Sequence, residues 1–285
     1  MAADRPPRET TLRGVGIGWR PEIAGVVAEL PELGFVEVVA ENLSALLTDG
    51  PLPPTLTQLH ARGVPAVAHG VSLSLGSADP GGLGDPTHLA QVALALGSPL
   101  VSEHLAFVRA GGIEAGHLLP CPRTREGVAV LVRNIERVLP ELPVPLALEL
   151  PAALLSWPED ELTDAQFVTE VLERANVGLL IDVANIYGNA RNTGVDPAAE
   201  LAAYPLERLA YAHIAGGMVV DGVYLDTHTH PVLPEVLELA ALLAELAPGA
   251  PVLLERDGDY PPPQELAAEL AAIRAAVGAR HGGRA

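Results

Sequence analysis

Seven polar residues of the sequence stand at the ends of short apolar segments that have the character of β-strands. They are Glu41, His69, His104, Glu149, Asp182, His213 and Glu255. All are imidazoles or carboxylates, the side chains that bind metal ions through nitrogen and oxygen. One such residue would mean little, but seven spread over more than 200 residues indicate that several strand ends converge on one site.

The elements that must position these residues alternate along the chain. Apolar segments typical of strands occupy residues 14–19, 35–41, 65–72, 99–107, 144–150, 177–184, 208–214 and 250–256. Apolar residues at helical spacing occupy residues 21–30, 55–62, 86–96, 124–139, 163–175, 197–203, 231–246 and 263–277. Alternation of this kind predicts a parallel sheet with helical crossovers.

Eight strand–helix repeats predict a single-domain α/β fold, the (β/α)8 or TIM barrel, whose active site lies at the C-terminal ends of the strands. We expect residues 14–278 to form the barrel, with flexible segments at 1–13 and 279–285. A doubly wound open sheet is the alternative, although it would not bring all of its strand ends to one point.

The composition restricts the partners of the protein. With 17 basic and 36 acidic residues the formal net charge is −19, which argues against nucleic acid and against an anionic membrane surface. Cys121 is the single cysteine, so no disulfide can form within the chain, and we expect it to pack in the interior. We read no signal peptide and no membrane-spanning run in the sequence, and we expect a cytoplasmic protein.

Two carboxylates lie in segments that are otherwise almost entirely apolar. Glu149 is part of LALEL, and Asp182 is part of LLIDVANIYGNA. Burying either carboxylate alone is costly, so a cation or several hydrogen-bond donors must satisfy it. Asn185, three residues after Asp182, offers a neutral oxygen to the same ion, although a loop cap is an equally good interpretation.

The segment LDTHTHP holds the densest group of candidate ligands. Asp226 and His228 are two residues apart, so in an extended stretch they face the same way, and His230 continues the alternation. His213 precedes two glycines that allow close approach of the backbone to a bound group. For Asp226, His228 and His230 the structural alternative is a loop exposed to solvent. For a residue such as His69 the alternative is a histidine that lies in the core with its hydrogen bonds made.

The number of candidate ligands exceeds the requirement of a single ion. A structural zinc ion takes four ligands and a catalytic zinc ion takes three. The mixed nitrogen and oxygen donors therefore predict two or three ions with open coordination positions. Sulfur is absent from the set, which leaves iron, manganese and zinc as candidates.

Seven motifs in this order resemble those of a known family. They are HGVSLSLGS, VSEHLAF, LLPCPRT, LLIDVANIYGNA, HIAGG, DTHTHPV and LLERD. They are similar to the DUF692 (UPF0276) family, multinuclear non-heme iron-dependent oxidative enzymes related to the methanobactin biosynthesis subunit. The resemblance covers roughly residues 14–260. It implies two or three iron ions in mixed Fe(II)/Fe(III) states, with O2 as co-substrate.

The resemblance also implies a substrate and the roles of particular residues. The substrate would be a ribosomally synthesised precursor peptide, modified at a residue expected to be cysteine, with a small partner protein that binds the leader peptide. The implied metal ligands are His69, His104, Glu149, Asp182, Asn185, His213, Asp226, His228 and Glu255. Among these we expect Glu149, Asp182 and His213 to be catalytic. Glu41 has no counterpart in this set, so we place it in the pocket wall with Asn42.

The sequence departs from the family pattern at four positions. Leu150 stands where the family has Asn, Gly217 stands where it has His, and Arg191 and Thr193 lie in a stretch where His is common. These departures bear on substrate contacts and on the reaction itself. Two alternatives therefore stay open: a zinc- or manganese-dependent isomerase or hydrolase of the xylose-isomerase-like type, and a non-catalytic peptide-binding barrel.

Overall fold

The computed structural model describes residues 11–43, 51–79 and 81–278. The strands in this part of the chain are β1 (Val15–Trp19), β2 (Val36–Val39), β3 (Ala66–His69), β4 (Val101–His104), β5 (Ala106–Ala110), β6 (Ile113–Pro120), β7 (Leu146–Glu149), β8 (Gly178–Asp182), β9 (Leu209–Ala215), β10 (Met218–Val220), β11 (Val223–Leu225) and β12 (Val252–Glu255). Residues 1–10 and 279–285 lie outside the described residues, and so does the flexibility predicted for them.

Eight strands close into a barrel in the order β1, β12, β9, β8, β7, β4, β3, β2. Every neighbouring pair is parallel. The predicted TIM barrel is therefore confirmed, and each of the eight predicted strands overlaps one barrel strand. The open-sheet alternative is wrong because the first strand, β1, pairs with the last strand, β12, as well as with β2, which closes the sheet.

Helices connect the strands on the outside of the barrel. They are α1 (Ala24–Glu29), α2 (Pro54–Ala61), α3 (Thr87–Leu96), α4 (Arg125–Val138), α5 (Asp164–Ala175), α6 (Val183–Thr193), α7 (Pro197–Ala203), α8 (Pro234–Leu246) and α9 (Pro263–Gly278). The Thr163 side chain caps α5 in a reciprocal arrangement with Gln166. None of the helices in the described ranges is both long and apolar enough to cross a membrane.

The interior of the barrel has two levels because side chains two residues apart in a strand face the same way. The lower level is an apolar cluster of Leu12, Phe35, Val67, Leu100, Ala147, Leu180, Tyr211 and Leu253. Seven of these residues lie two positions before a polar residue, for example Ala147 before Glu149 and Leu180 before Asp182. The polar residues therefore form the upper level, at the C-terminal ends of the strands.

Two antiparallel hairpins follow barrel strands and were not predicted. The hairpin of β5 and β6 turns at Gly111 and Gly112, and the hairpin of β10 and β11 turns at Asp221 and Gly222. All four turn residues have positive φ angles, as the tightest hairpin turns require. The predicted strand at 99–107 was therefore too long, since β4 ends at His104 and the chain then enters a hairpin.

Candidate metal centre

Six predicted ligands come from the ends of six barrel strands. They are His69 on β3, His104 on β4, Glu149 on β7, Asp182 on β8, His213 on β9 and Glu255 on β12, and all are buried. Asn185 is added from the first turn of α6, and Asp226 and His228 are added from the loop after β11. Closure of the barrel thus brings residues from widely separated parts of the chain to one end of its interior.

The donor atoms of these residues form four overlapping groups in which all atoms lie within 4.8 Å of one another. The groups are His69–His104–Glu149, Glu37–His213–Glu255, Glu149–Asp182–His213 and Asp182–His228–Glu255. Seven of the nine predicted ligands take part in them. The other two adjoin them, because Asp226 Oδ2 lies 2.7 Å from His228 Nε2 and Asn185 donates to Glu149 Oε1 at 3.2 Å.

Five buried atoms of the nine predicted ligands have no hydrogen-bond partner among the described residues, and neither has Oε1 of Glu37 beside them. The five are Glu149 Oε2, Asp182 Oδ2, Asn185 Oδ1, His213 Nδ1 and Asp226 Oδ1. His213 Nδ1 lies 3.1 Å from Glu255 Oε2, which is ion-pair distance without hydrogen-bond geometry. A buried polar atom without a partner costs about 1–3 kcal/mol. Cations bound among these atoms would satisfy all five, so the residues fit a metal centre.

Asp182 has a second role as the cap of α6. Its Oδ1 accepts hydrogen bonds from the backbone N–H groups of Ala184, at 2.6 Å, and Asn185, at 3.0 Å. The cap uses one carboxylate oxygen and leaves Oδ2 directed at the cluster, 3.9 Å from His228 Nε2. The predicted strand at 177–184 was wrong at its end, because α6 begins directly after Asp182.

Burial and mutual repulsion perturb the titration of the cluster. Burial, and then the Asp226 carboxylate, raise the pKa of Asp182 to about 7. Burial alone would lower the pKa of His104, but Glu149 and Glu103 raise it to about 9. The pKa of His213 is also raised well above its usual range despite burial, because Glu37, Glu255 and Glu149 surround it. The centre therefore favours positive charge.

Arg20 and Glu37 contact predicted ligands but were not among the candidate residues predicted from the sequence. Arg20 is 4% exposed and donates to Glu255 Oε1 at 3.0 Å and to Asp257 Oδ1 at 2.8 Å. Gly18 makes room for it, since a Cβ there would lie 2.9 Å from Arg20 Nη1. Glu37 is fully buried and accepts a hydrogen bond from His213 Nε2 at 2.7 Å.

Glu41 does not stand at a strand end, because β2 stops at Val39 and Glu41 lies in a short 3-10 helix. Its Oε1 accepts hydrogen bonds from the Val71 N–H at 3.2 Å and the Ser72 hydroxyl at 2.5 Å. Glu41 therefore braces the loop after β3. In the segment FVEVVAE the signal that identifies Glu37 is its even spacing from Phe35, which places both side chains inside the barrel.

Other polar residues near the centre have structural contacts. Glu103 faces away from the barrel interior and accepts hydrogen bonds from the backbone of Leu73 and His104. His230 contacts the hydroxyls of Thr227 and Thr229 instead of the cluster. Cys121 is 4% exposed in the apolar core, and burial raises the pKa of its thiol to about 12.

The loop that carries Asp226 and His228 is tied to α6. The Asn192 side chain donates to the Tyr224 carbonyl at 2.9 Å and accepts from the Tyr224 N–H at 2.8 Å. His228 itself has a φ of 53°, in the left-handed region that disfavours residues with a β-carbon and that concentrates at functional sites.

The four departures from the family pattern fall into two kinds. A Cβ at Gly217 would lie 2.5 Å from the Tyr224 ring, so the tyrosine fills the space beside this glycine. The Leu150 carbonyl receives a weak hydrogen bond from Asn185 at 3.5 Å. Arg191 and Thr193 are exposed near the C-terminal end of α6. Gly217 and Leu150 therefore bear on the centre, whereas the other two face solvent.

A cavity of about 330 Å³ opens onto the cluster. His69, His104 and Glu149 lie in its wall, together with apolar residues that include Leu118, Leu154 and Leu225. Its size is at the lower end of the range for ligand pockets.

The fold and the site together define a TIM-barrel protein with a candidate multinuclear metal centre at the C-terminal ends of its strands. Residues 14–278 match the family described as "RiPP precursor modification enzyme MbnB/TglH/ChrH". Curated relatives over most of the chain carry the name UPF0276 protein. The chain belongs to this family, as its motifs predicted.

Two of these relatives differ in length. The UPF0276 protein of Streptomyces avermitilis is 53% identical over 268 residues, which are 92% of this chain and 54% of the relative. The UPF0276 protein of Caulobacter vibrioides (strain NA1000 / CB15N) is 36% identical over 264 residues, which are 92% of this chain and 93% of the relative. This chain thus spans about half the length of the Streptomyces protein.

Solved structures share the barrel. A 3-keto-D-glucoside 4-epimerase from E. coli superposes with a TM-score of 0.60 at 15% identity, covering 92% of this chain and 99% of that one. A xylose isomerase domain protein from Alicyclobacillus acidocaldarius gives 0.56 at 17% identity, covering 92% of this chain and all of the other. At such identities the similarity shows the fold alone.

Proposed function

We propose that this protein is a multinuclear non-heme iron-dependent oxidase that uses O2 to modify a residue, expected to be cysteine, of a ribosomally synthesised precursor peptide. The observation that carries the proposal is the convergence of five unpartnered, buried donor atoms in one cluster. Membership of a family of RiPP precursor modification enzymes supports the choice of a peptide as substrate.

The residues that would hold the metal are the nine predicted ligands. Their four overlapping groups contain more donors than one ion needs, which supports two or three ions. Bound iron would supply one-electron redox chemistry and a position for O2. The donor set has nitrogen and oxygen atoms only, as is suitable for iron outside a sulfur cluster.

The chain's own residues would position the metals and the peptide. The cap on α6 holds the Asp182 carboxylate in one orientation, and the Arg20 guanidinium holds the Glu255 carboxylate. The apolar wall at Leu118, Leu154 and Leu225 would receive a small side chain and exclude water from the centre. The net charge of −19 favours a basic peptide, and we include a small leader-binding protein as its partner.

Metal analysis of protein produced in iron-replete cells tests the first half of the proposal. We expect roughly two or more iron ions per chain, from the number of donors available. Glu149→Ala should lose most of the iron. Glu238→Ala is the matched control, since this carboxylate is exposed on α8. A wild-type protein that holds one zinc ion, or no metal, would refute the assignment.

Reaction with a peptide tests the second half. The substrate would be a short cysteine-containing precursor encoded beside the gene, supplied with any small neighbouring partner protein. We expect an O2-dependent change in the mass of the precursor that Glu149→Ala abolishes. Turnover of a substrate with zinc and without O2 would instead favour the isomerase or hydrolase class.

A further inference from the structure

A chain of four hydrogen bonds crosses the barrel interior directly beneath the candidate metal centre. His69 Nδ1 lies 2.8 Å from Ser102 Oγ, which lies 2.7 Å from the Tyr211 hydroxyl. The Tyr211 hydroxyl and His213 Nε2 both reach Glu37 Oε2, the imidazole at 2.7 Å. This hydrogen-bond chain joins the predicted ligands His69 and His213. It passes through Ser102, Tyr211 and Glu37, which are fully buried.

Only one order of protons satisfies all four contacts. The Glu37 carboxylate accepts, so Tyr211 O–H and His213 Nε2–H both donate to it. Each hydroxyl carries a single proton, so Tyr211 must accept from Ser102, and Ser102 must accept from His69 Nδ1–H. In the neutral imidazole, the form that binds a metal, the lone pair is then on Nε2 at His69 and on Nδ1 at His213.

We propose that Glu37, Tyr211 and Ser102 are positioning residues that fix the tautomers of His69 and His213, so that both imidazoles present a nitrogen lone pair to the same metal centre. The inference rests on the proposed function, because it assigns a role toward metal ligands. Metal-binding histidines commonly donate their other ring N–H to a carboxylate or similar group.

The surroundings of His213 support this assignment. Its Nδ1 lies 3.1 Å from Glu255 Oε2 and 3.4 Å from Glu149 Oε2, so this nitrogen faces the carboxylates with which it would share a cation. Glu37 uses one oxygen for two hydrogen bonds, and on β2 it is aligned with Val67, which precedes the ligand His69 by two residues on β3. This places Glu37 beneath the ligands.

Breaking the hydrogen-bond chain at Tyr211 should affect His69 and leave His213 unchanged. Tyr211→Phe keeps the ring and deletes the hydroxyl that joins Ser102 to Glu37. His213 keeps its bond to Glu37, whereas Ser102 becomes free to donate its proton to His69 Nδ1. We expect His69 to shift toward the Nε2–H tautomer while His213 stays unchanged. Glu37→Gln should disturb both histidines.

Nitrogen-15 NMR of the metal-free full chain, labelled at histidine and followed to a pH at which each imidazole is neutral, reads the tautomers directly. His69→Gln and His213→Gln assign the two signals. The same proteins are titrated with Co²⁺ against a chelator under anaerobic conditions. Tyr204→Phe is the matched control, since Tyr204 is 7% exposed and lies at the end of α7, outside the barrel interior.

The expected result is a tautomer shift at His69 alone in Tyr211→Phe, with Co²⁺ bound about 10–100-fold more weakly, while Tyr204→Phe matches the wild type. If Tyr211→Phe does not fold, Ser102→Ala breaks the chain one residue nearer to His69 and should give the same shift. Unchanged tautomers in these variants and in Glu37→Gln would overturn the inference.

Two further results distinguish a failure of the tautomer inference from a failure of the proposed metal centre on which it rests. Loss of Co²⁺ in Glu37→Gln with both tautomers unchanged would overturn the inference, because Glu37 would then be a direct ligand. A wild-type protein that binds no Co²⁺ and no iron would refute the proposed metal centre, whereas the NMR result would still decide whether the hydrogen-bond chain sets the tautomers.

Discussion

Replacing Asp182 by Asn should stabilise the metal-free protein and at the same time remove metal from it. Asparagine caps helices about as well as aspartate, so its side-chain oxygen can keep the two hydrogen bonds to the first turn of α6. The second oxygen, which we assign to a cation, becomes an amide N–H2 group that cannot bind one. The same substitution therefore measures separately how much the carboxylate destabilises the fold and how much it contributes to metal binding.

The size of the gain follows from the environment of the carboxylate. Burial, and then Asp226, raise the pKa of Asp182 from 3.8 to about 7. A carboxyl group with a raised pKa in the folded chain destabilises the fold when it is ionised. This cost is absent below pH 3.8 and complete above pH 7. At about 1.4 kcal/mol per pKa unit, it amounts to roughly 4 kcal/mol at pH 8, and Asp182→Asn should recover much of it.

Urea unfolding followed by circular dichroism at pH 8 in the presence of EDTA measures the gain in free energy. Iron content after anaerobic reconstitution measures the loss of metal. Asp196→Asn is the matched control, because Asp196 caps α7 in the same way and is exposed. It should change the free energy of unfolding by less than about 0.5 kcal/mol. A less stable metal-free Asp182→Asn protein, or one that keeps its full iron content, would refute the reasoning.

Three further predictions concern buried residues. The Cys121 thiol, with its pKa raised to about 12 by burial, should not react with Ellman's reagent at pH 8 until urea unfolds the chain, and rapid reaction of the native protein would contradict a packing role. Gly217→Ala should lower the free energy of unfolding by about 1–3 kcal/mol in a melting experiment, because its Cβ meets the Tyr224 ring, whereas Gly25→Ala, with open space around it, should cost nothing. Arg20→Met should lower it by about 3–5 kcal/mol, since it leaves a buried carboxylate without its guanidinium partner, and a smaller loss in metal-loaded than in metal-free protein would show that cations take over that charge.

The fold was predictable because its signal is local and repeated. Each barrel strand is a short apolar run, and each connecting helix shows its own spacing of apolar residues, so errors at single boundaries did not change the number of repeats. The position of Glu149 and Asp182 at the ends of apolar runs was enough to place them at one end of a parallel barrel. The cost of burying a carboxylate then pointed to cations.

What could not be predicted depends on pairs of residues far apart in the sequence. Arg20 becomes significant only when β1 meets β12 and brings Glu255 to it, 235 residues along the chain. Glu37 and His213 are 176 residues apart and meet across the barrel. Helix α6 was missed for a local reason, since the apolar run before it continues past Asp182 without a break in composition.

The hairpin turns are a different kind of omission. Gly111–Gly112 and Asp221–Gly222 are dipeptides that favour tight hairpins, and both stand between β-forming residues. The signal was therefore present in the sequence. The single strand predicted at 99–107 overlaps the first hairpin, and no strand was predicted between residues 214 and 250, where the second hairpin lies.

The double hydrogen bond between Asn192 and the backbone of Tyr224 fastens β11, which leads directly into the loop with Asp226 and His228, to the helix that Asp182 caps. We therefore expect this loop to be held in place before a cation binds. The binding of a cation then need not supply the entropy of ordering a loop, roughly 1–2 kcal/mol for each residue fixed. The affinity of the centre for a cation should consequently be higher than that of a centre whose loop becomes ordered only on binding.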